Sequence, residues 1–146
     1  MAITSAICNS FKQEILEAEH NFTASTANTF NLALYTSSAT LGAGTTAYTS
    51  TEEISNTSGS AYSAKGKALT SVTPTLDSST AVCDFADVSW TSASFTANGC
   101  LIFNDSHSTD AAVCAIAFGG DKTVSSGTFT IQFPAAAATT AIIRIA

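Results

Sequence analysis

Hydrophobic and polar positions follow two different periods along this chain. In the first twenty residues the apolar side chains recur about every fourth position, at Ile3, Ile7, Phe11 and Ile15. Such spacing predicts an amphipathic helix over residues 1–21, with Thr4 or Ser5 as its cap. A terminal helix of this kind packs either on its own domain or on a neighbouring subunit. The spacing is compatible with both, so these four residues are candidate interface positions.

From residue 29 onward the pattern changes to period two, which is typical of strands. Apolar or alternating runs lie at residues 30–35, 68–76, 81–85, 88–97, 100–104, 112–118, 129–133 and 141–145. Turn signals such as Asn98-Gly99 and Gly119-Gly120-Asp121 separate them. The pattern predicts a mostly β protein: a single-domain antiparallel β-sandwich, jelly-roll or Ig-like, of about eight strands. One domain is expected over residues 1–146, with the N-terminal α-helix at 1–21 and the sandwich at 29–146.

The segment over residues 37–66, called the long segment below, is rich in Ser, Thr, Gly and Ala. A structureless loop of this length is uncommon in a compact domain and is often functional. Short strand pieces are expected near Tyr48 and Ile54, with exposed tips between them. Tyr48 and Tyr62 are therefore further candidate interface residues, whereas Trp90, within a strand run, is expected in the core.

Charge is sparse, because only 11% of the residues are Asp, Glu, Lys or Arg and the net charge is -6. The chain instead has 20 serines and 23 threonines. A low-charge, hydroxyl-rich surface favours close association, although a stable extracellular β domain would have the same composition. The five basic residues form no patch that could neutralise phosphates, so no nucleic-acid partner is expected. No apolar run is long enough for a membrane span, and the N-terminus has no signal-peptide pattern, which predicts synthesis in a cytoplasm.

Four cysteines stand apart in the sequence, at Cys8, Cys83, Cys100 and Cys114. No pair has CxxC spacing and the two histidines are isolated, so neither a metal site nor a cofactor is expected. The thiols are expected to be reduced and to fill core positions, with a Cys100–Cys114 cross-strand disulfide as the weaker alternative.

Candidate catalytic groups all have simpler interpretations. Asp84 and Asp87 flank an aromatic stretch without supporting residues, and the pair Glu52-Glu53 lies in the long segment. The triplet Asp105-Ser106-His107 follows a strand, where Asp and Ser commonly form turns. No GxSxG or P-loop pattern occurs. We therefore predict no catalytic residues and a protein that is not an enzyme.

Several segments, in this order, carry a resemblance to a known group of proteins. They are FKQEILEAEHNF (11–22), LALYTSSATLGAGTTAY (32–48), FADVSW (85–90), LIFND (101–105), FGGDKTVSSGTFTIQFP (118–134) and AIIRI (141–145). The chain resembles small virion structural proteins of tailed, often marine, bacteriophages, some of which are similar to capsid decoration (cement) proteins. Residues 56–62 depart from that pattern, because relatives tend to have a glycine-rich turn and Gly-Tyr before the strand at Leu69.

The resemblance implies a structural protein of the virion, and it carries no catalytic residues over to this chain. The expected role is capsid decoration: binding and stabilising the lattice of the major capsid protein, with self-association, for example as a homotrimer. The expected location is the capsid surface, after synthesis in the host bacterial cytoplasm. Two alternatives remain open at this point, a tail- or fibre-associated protein and a host-surface glycan-binding module.

Overall fold

A computed structural model describes residues 2–25, 28–55 and 57–146. Asn56, where the departure from the phage pattern begins, lies outside the described residues. The elements in chain order are β1 (Ala6–Ile7), α1 (Asn9–Leu16), β2 (Phe30–Tyr35), β3 (Lys67–Ala68), β4 (Ser71–Asp77), β5 (Thr80–Phe85), β6 (Val88–Asn104), β7 (Ala111–Ile131) and β8 (Ile143–Ile145). The expected mostly β, antiparallel sandwich with one N-terminal helix is confirmed.

Two antiparallel sheets make up the sandwich. The larger has the strand order β1-β7-β6-β2-β3, and the smaller has the order β4-β5-β8. Strand β2 is buried along its whole length, as are the last residues of β6, which pair with β2, and the first residues of β7, which pair with β6. An aromatic cluster continues this core toward the small sheet, where the ring of Phe30 lies 4.3 Å from Phe22 and 6.0 Å from Phe85.

The N-terminal segment differs from the predicted helix. The helix begins at Asn9 and ends at Leu16, and it is preceded by β1, which pairs with β7. Its N-cap residue is Cys8, whose side chain makes no capping hydrogen bond, so neither Thr4 nor Ser5 caps it. Residues 3–7 are extended because their backbone is taken up by tertiary pairing: Thr4 N–H donates to Leu41 C=O, and Ala6 lies opposite Ala115.

Two of the predicted turns lie inside long strands. Strand β6 runs through Asn98-Gly99 without turning, and Gly99 is required for another reason. A Cβ built on Gly99 would lie 2.6 Å from the carbonyl oxygen of Ile116 and 2.8 Å from the side chain of Ile3. Gly119 and Gly120 lie in a bulge of β7, where the register with β6 shifts between Ala117 and Lys122, and the φ angle of 144° at Gly120 is one that only glycine adopts readily. Four predicted strands therefore merge into the two long strands of one bent hairpin.

Candidate interaction surfaces

The predicted interface residues of the N-terminal segment lie in the protein's own core. Ile3 and Phe11 are buried, and Ile7 and Ile15 are half-buried against the same hydrophobic cluster. Ile3 packs on the bare backbone of Gly99, while the Phe11 ring lies 4.9 Å from that of His20. Most apolar side chains of this segment therefore pack on the protein's own core, whereas Leu16 is exposed; an additional contact with a neighbouring subunit stays a prediction.

Tyr48 and Tyr62 do not form an exposed platform either, because both hydroxyls are bound to Glu53. Tyr62 is buried, and its hydroxyl donates to Glu53 Oε1 over 2.7 Å. The hydroxyl oxygen of Tyr62 in turn accepts the N–H of Leu34 in β2, at 2.9 Å. Tyr48 donates to the other carboxylate oxygen over 2.6 Å. These four residues form what we call the tyrosine network, which fastens the long segment to the large sheet.

Burial and the Glu53 carboxylate have a common effect on these phenols. Desolvation, followed by the hydrogen bond to Glu53, raises the pKa of Tyr48 to about 12 and raises the pKa of Tyr62 further. Both phenols therefore remain neutral hydrogen-bond donors throughout the physiological range. The expected strand pieces of the long segment are reduced to single bridges, Ala47 with Ala111 and Tyr35 with Glu53.

Lys65, at the end of the long segment, joins it to the turn between β6 and β7. Its ammonium lies 2.8 Å from Asp105 Oδ1 and 2.9 Å from Asp110 Oδ2, and 5.6 Å from the centre of the Tyr48 ring. The hydrogen bonds that this ammonium donates to the two carboxylates raise the pKa of Lys65. Because the side chain is 40% exposed, we regard this as a geometric tether that contributes little to stability.

The triplet Asp105-Ser106-His107 forms a turn, as predicted, and its groups are occupied. Ser106 Oγ accepts the N–H of Thr29 at 2.8 Å, and His107 Nδ1 lies 3.0 Å from Thr109 Oγ1. The nucleophile and base of a serine hydrolase would have to bond each other instead. The turn does not provide that geometry.

The neighbouring Asn104 links a buried histidine to β6. Its Oδ1 accepts the N–H of Ser106 at 3.1 Å, and its Nδ2 lies 3.2 Å from the carbonyl oxygen of Glu19 and 3.2 Å from Oδ1 of Asn28. The Nδ1 atom of His20 also lies 3.2 Å from Nδ2, and its Nε2 atom lies 2.8 Å from Glu14 Oε2. These contacts tie the N-terminal segment to β6; the sequence alone does not indicate them, because Asn104 lies far from His20 in the chain.

All four cysteines are free thiols. Strand register places Cys100 opposite Ile116 and Cys114 opposite Ile102, and the alternative disulfide is not formed. Burial raises the pKa of Cys8 and of Cys83 to about 11, and that of Cys114 to about 12. Since thiolates are the reactive form, these thiols are poor nucleophiles at neutral pH.

Metal-ligating groups do not converge within the described ranges: no three His, Cys, Asp or Glu side chains are placed to hold an ion. The separate carboxylates take part in local contacts. Asp87 accepts the N–H of Phe133 at 2.9 Å and Asp84 accepts the N–H of Phe85 at 2.8 Å. Across residues 2–25, 28–55 and 57–146, no helix has the length and apolar character of a membrane span.

The apolar surface that stays open lies beside β7. A groove of about 650 Å³, which we call the edge groove, is lined mainly by half-buried apolar side chains. They are Ile116, Phe118, Phe129, Ile131, Phe133 and Ile142. Lys122 is the one charged residue in the lining. A second exposed apolar row lies on the small sheet, where Leu76 and Ile145 face solvent on either side of Ala81. No sequence signal marked either surface, because alternation identifies apolar faces but not whether another element covers them.

Comparisons with known proteins give no relatives for this chain. No family model, no curated protein and no solved structure matches it.

Proposed function

We propose that this protein is a non-enzymatic structural component of a tailed-bacteriophage virion, and specifically a capsid decoration protein that binds the major capsid lattice. The observation that carries the proposal is the ordered series of segments over nearly the whole chain that resembles small phage virion proteins. Low charge and a hydroxyl-rich surface support it, because they allow dense packing of copies with little electrostatic repulsion.

The groups that catalysis would require have other roles, which supports the non-enzymatic part of the proposal. The buried thiols are protonated, the Asp105-Ser106-His107 turn is internally bonded, and Glu53 holds two tyrosines. Stabilising a lattice instead requires a well-ordered module, and the tyrosine network ties the long segment to β2. Weak individual contacts to a shell would add up through avidity.

The experiment is the copy number in purified virions, measured by quantitative mass spectrometry against the major capsid protein. Decoration requires copies in stoichiometric proportion to that lattice. A few copies per particle, or copies that co-purify with isolated tails, would refute decoration and favour the tail- or fibre-associated alternative.

The glycan-binding alternative would need exposed aromatic rings in the long segment, and its two tyrosines do not supply them. Tyr62 is buried, and the Tyr48 ring stacks on Phe103 at 4.8 Å with its hydroxyl on Glu53. We therefore expect no hits on a glycan array. Tyr48→Ala should also leave adsorption of phage to the host unchanged.

A further inference from the structure

Strand β7 has a long free edge. In the large sheet β1 pairs with it at Cys114 and Ala115, and Ser5 Oγ accepts the N–H of Ala117, so the open part of the edge lies beyond residue 117. The other sheet edges are short or protected: β3 has two residues, β8 has three, and β4 contains Pro74 and a bulge. Among the described residues, the outer side of β6 at residues 88–98 has no strand partner, but Ser60 C=O and the Lys67 ammonium bind backbone groups there. Proline and bulges are the usual devices that prevent a sheet edge from pairing. The β7 edge has neither along residues 128–131, the last four of the strand; Pro134 comes three residues after its end.

The direction of the free backbone groups follows from one hydrogen bond. Phe133 N–H donates to Asp87 Oδ1, at 2.9 Å, and Asp87 directly precedes β6. Backbone groups of successive strand residues point to opposite sides, so Phe129 and Ile131 also face β6. The N–H groups of Thr130 and Gln132 therefore face away from β6, toward the open edge.

The edge groove runs along this edge. Residues 129–134 all line it, and six consecutive residues of an extended chain can line one groove only along its edge, since alternate side chains leave on opposite faces. Phe129, Ile131 and Phe133 supply its apolar wall, and the ring of Phe118 lies 6.3 Å from that of Phe129. A strand added here would pair with outward backbone groups and place every second side chain against this wall.

Charge complementarity decides what kind of segment fits. Lys12, Lys65, Lys67 and Arg144 each donate a side-chain hydrogen bond. Within the described part of the chain Lys122 has neither a hydrogen bond nor an ion pair, although the protein carries a net charge of -6. The occupant should therefore bring a carboxylate. A second copy paired through the same edge offers only Asp121, because residues 122–134 contain no acidic residue, and the Asp121 carboxylate already accepts a hydrogen bond from Asn98 Nδ2.

We propose that the free edge of β7 accepts an extended segment of a partner protein as an added strand, with apolar side chains at alternate positions and an acidic residue facing Lys122. This inference deepens the proposed function. It rests on that function in one respect only, namely that the partner is another virion protein. A fatty acid would also match the groove and Lys122, but it would leave the backbone N–H groups of Thr130 and Gln132 without partners.

Synthetic peptides and the full-length protein test this. The probes are capped eight-residue peptides with Val or Ile alternating with Thr, and with Asp or Lys at either end; fluorescence anisotropy measures binding. The charged residue is at the N-terminal end in one pair of peptides and at the C-terminal end in the other. In one of these pairs we expect the Asp peptide to bind about fivefold more tightly than its Lys counterpart. Lys122→Glu should reverse that preference, while Lys12→Glu, a matched charge change on α1, should not.

Backbone pairing is tested separately from charge. Every second amide of the peptide is N-methylated, in two alternative sets. The set that faces β7 should weaken binding about tenfold or more when methylated, and the set that faces away should leave the affinity unchanged. Thr130→Pro should reproduce that loss, with Thr130→Ala as control and circular dichroism to confirm folding. Binding that is insensitive to methylation, dodecanoate that displaces the peptide at equal concentration, or no peptide binding at about 1 mM would each overturn the proposal. These outcomes are independent of copy number in the virion, so the two proposals can fail separately.

Discussion

Tyr62→Phe is the most informative single change, because it removes one oxygen atom that makes two hydrogen bonds in the interior. The hydroxyl donates to Glu53 and accepts the N–H of Leu34, and the ring is almost completely buried. Loss of the acceptor leaves a buried backbone N–H without a partner, at a cost of about 1–3 kcal/mol. Loss of the donor removes a hydrogen bond to a charged group, typically about 1.5–3 kcal/mol, although half-buried Glu53 can recover part of this from water.

The expected total is about 2–4 kcal/mol, since the two losses are not fully additive. For a chain of this size that corresponds to a fall in Tm of about 5–12 °C. Tyr48→Phe is the matched control: it removes a hydrogen bond to the same carboxylate, but leaves no backbone group unpaired. It should cost about 0.5–1.5 kcal/mol.

The assay is urea unfolding of the three proteins, followed by far-ultraviolet circular dichroism. Equal free energies of unfolding for Tyr62→Phe and Tyr48→Phe would refute the reasoning. That result would mean that the Leu34 N–H finds another partner, and that the tyrosine network does not fasten the long segment.

Three further changes test other parts of the fold. Gly66→Ala should prevent stable folding, because the added Cβ would overlap the Leu32 carbonyl in β2; a cooperative melt near the wild-type Tm would contradict this. Deletion of residues 1–20 should abolish folding in circular dichroism, since it removes Phe11 and other core side chains; a folded truncated protein would show that the segment is dispensable. Stability should fall as the pH rises from about 9 to about 12. Burial raises the pKa of Cys83 from 9.0 to about 11, so the unfolded state releases its proton first; a urea midpoint that is constant to pH 10.5 would refute this.

The class of the fold was predictable because strand alternation is local. The interior position of Trp90, the buried reduced state of Cys100 and Cys114, and the turn at Asp105-Ser106-His107 could also be read from neighbouring residues. Each depends on side chains within a few positions, where period and turn preference act.

Which side chains are exposed could not be predicted in the same way, because exposure depends on residues that are distant in the chain. Tyr48 and Tyr62 lie in a polar segment and were expected to be exposed, yet Glu53 and the Leu34 N–H hold their hydroxyls inward. The apolar spacing from Ile3 to Ile15 correctly predicted a buried face, but part of it belongs to extended chain, because backbone pairing with Leu41 and β7 outweighs helical periodicity.

The sequence by itself determined that this chain forms an antiparallel β-sandwich with few charges and one N-terminal helix, and that its cysteines are reduced and fill core positions. Only the tertiary structure decided which apolar faces are covered, why Gly99 lies in a strand rather than a turn, and that the edge of β7 stays open beside Lys122. The physical reason is range: periodicity reports the direction of a side chain relative to its own strand, whereas burial and free backbone groups depend on which distant segments pack against it.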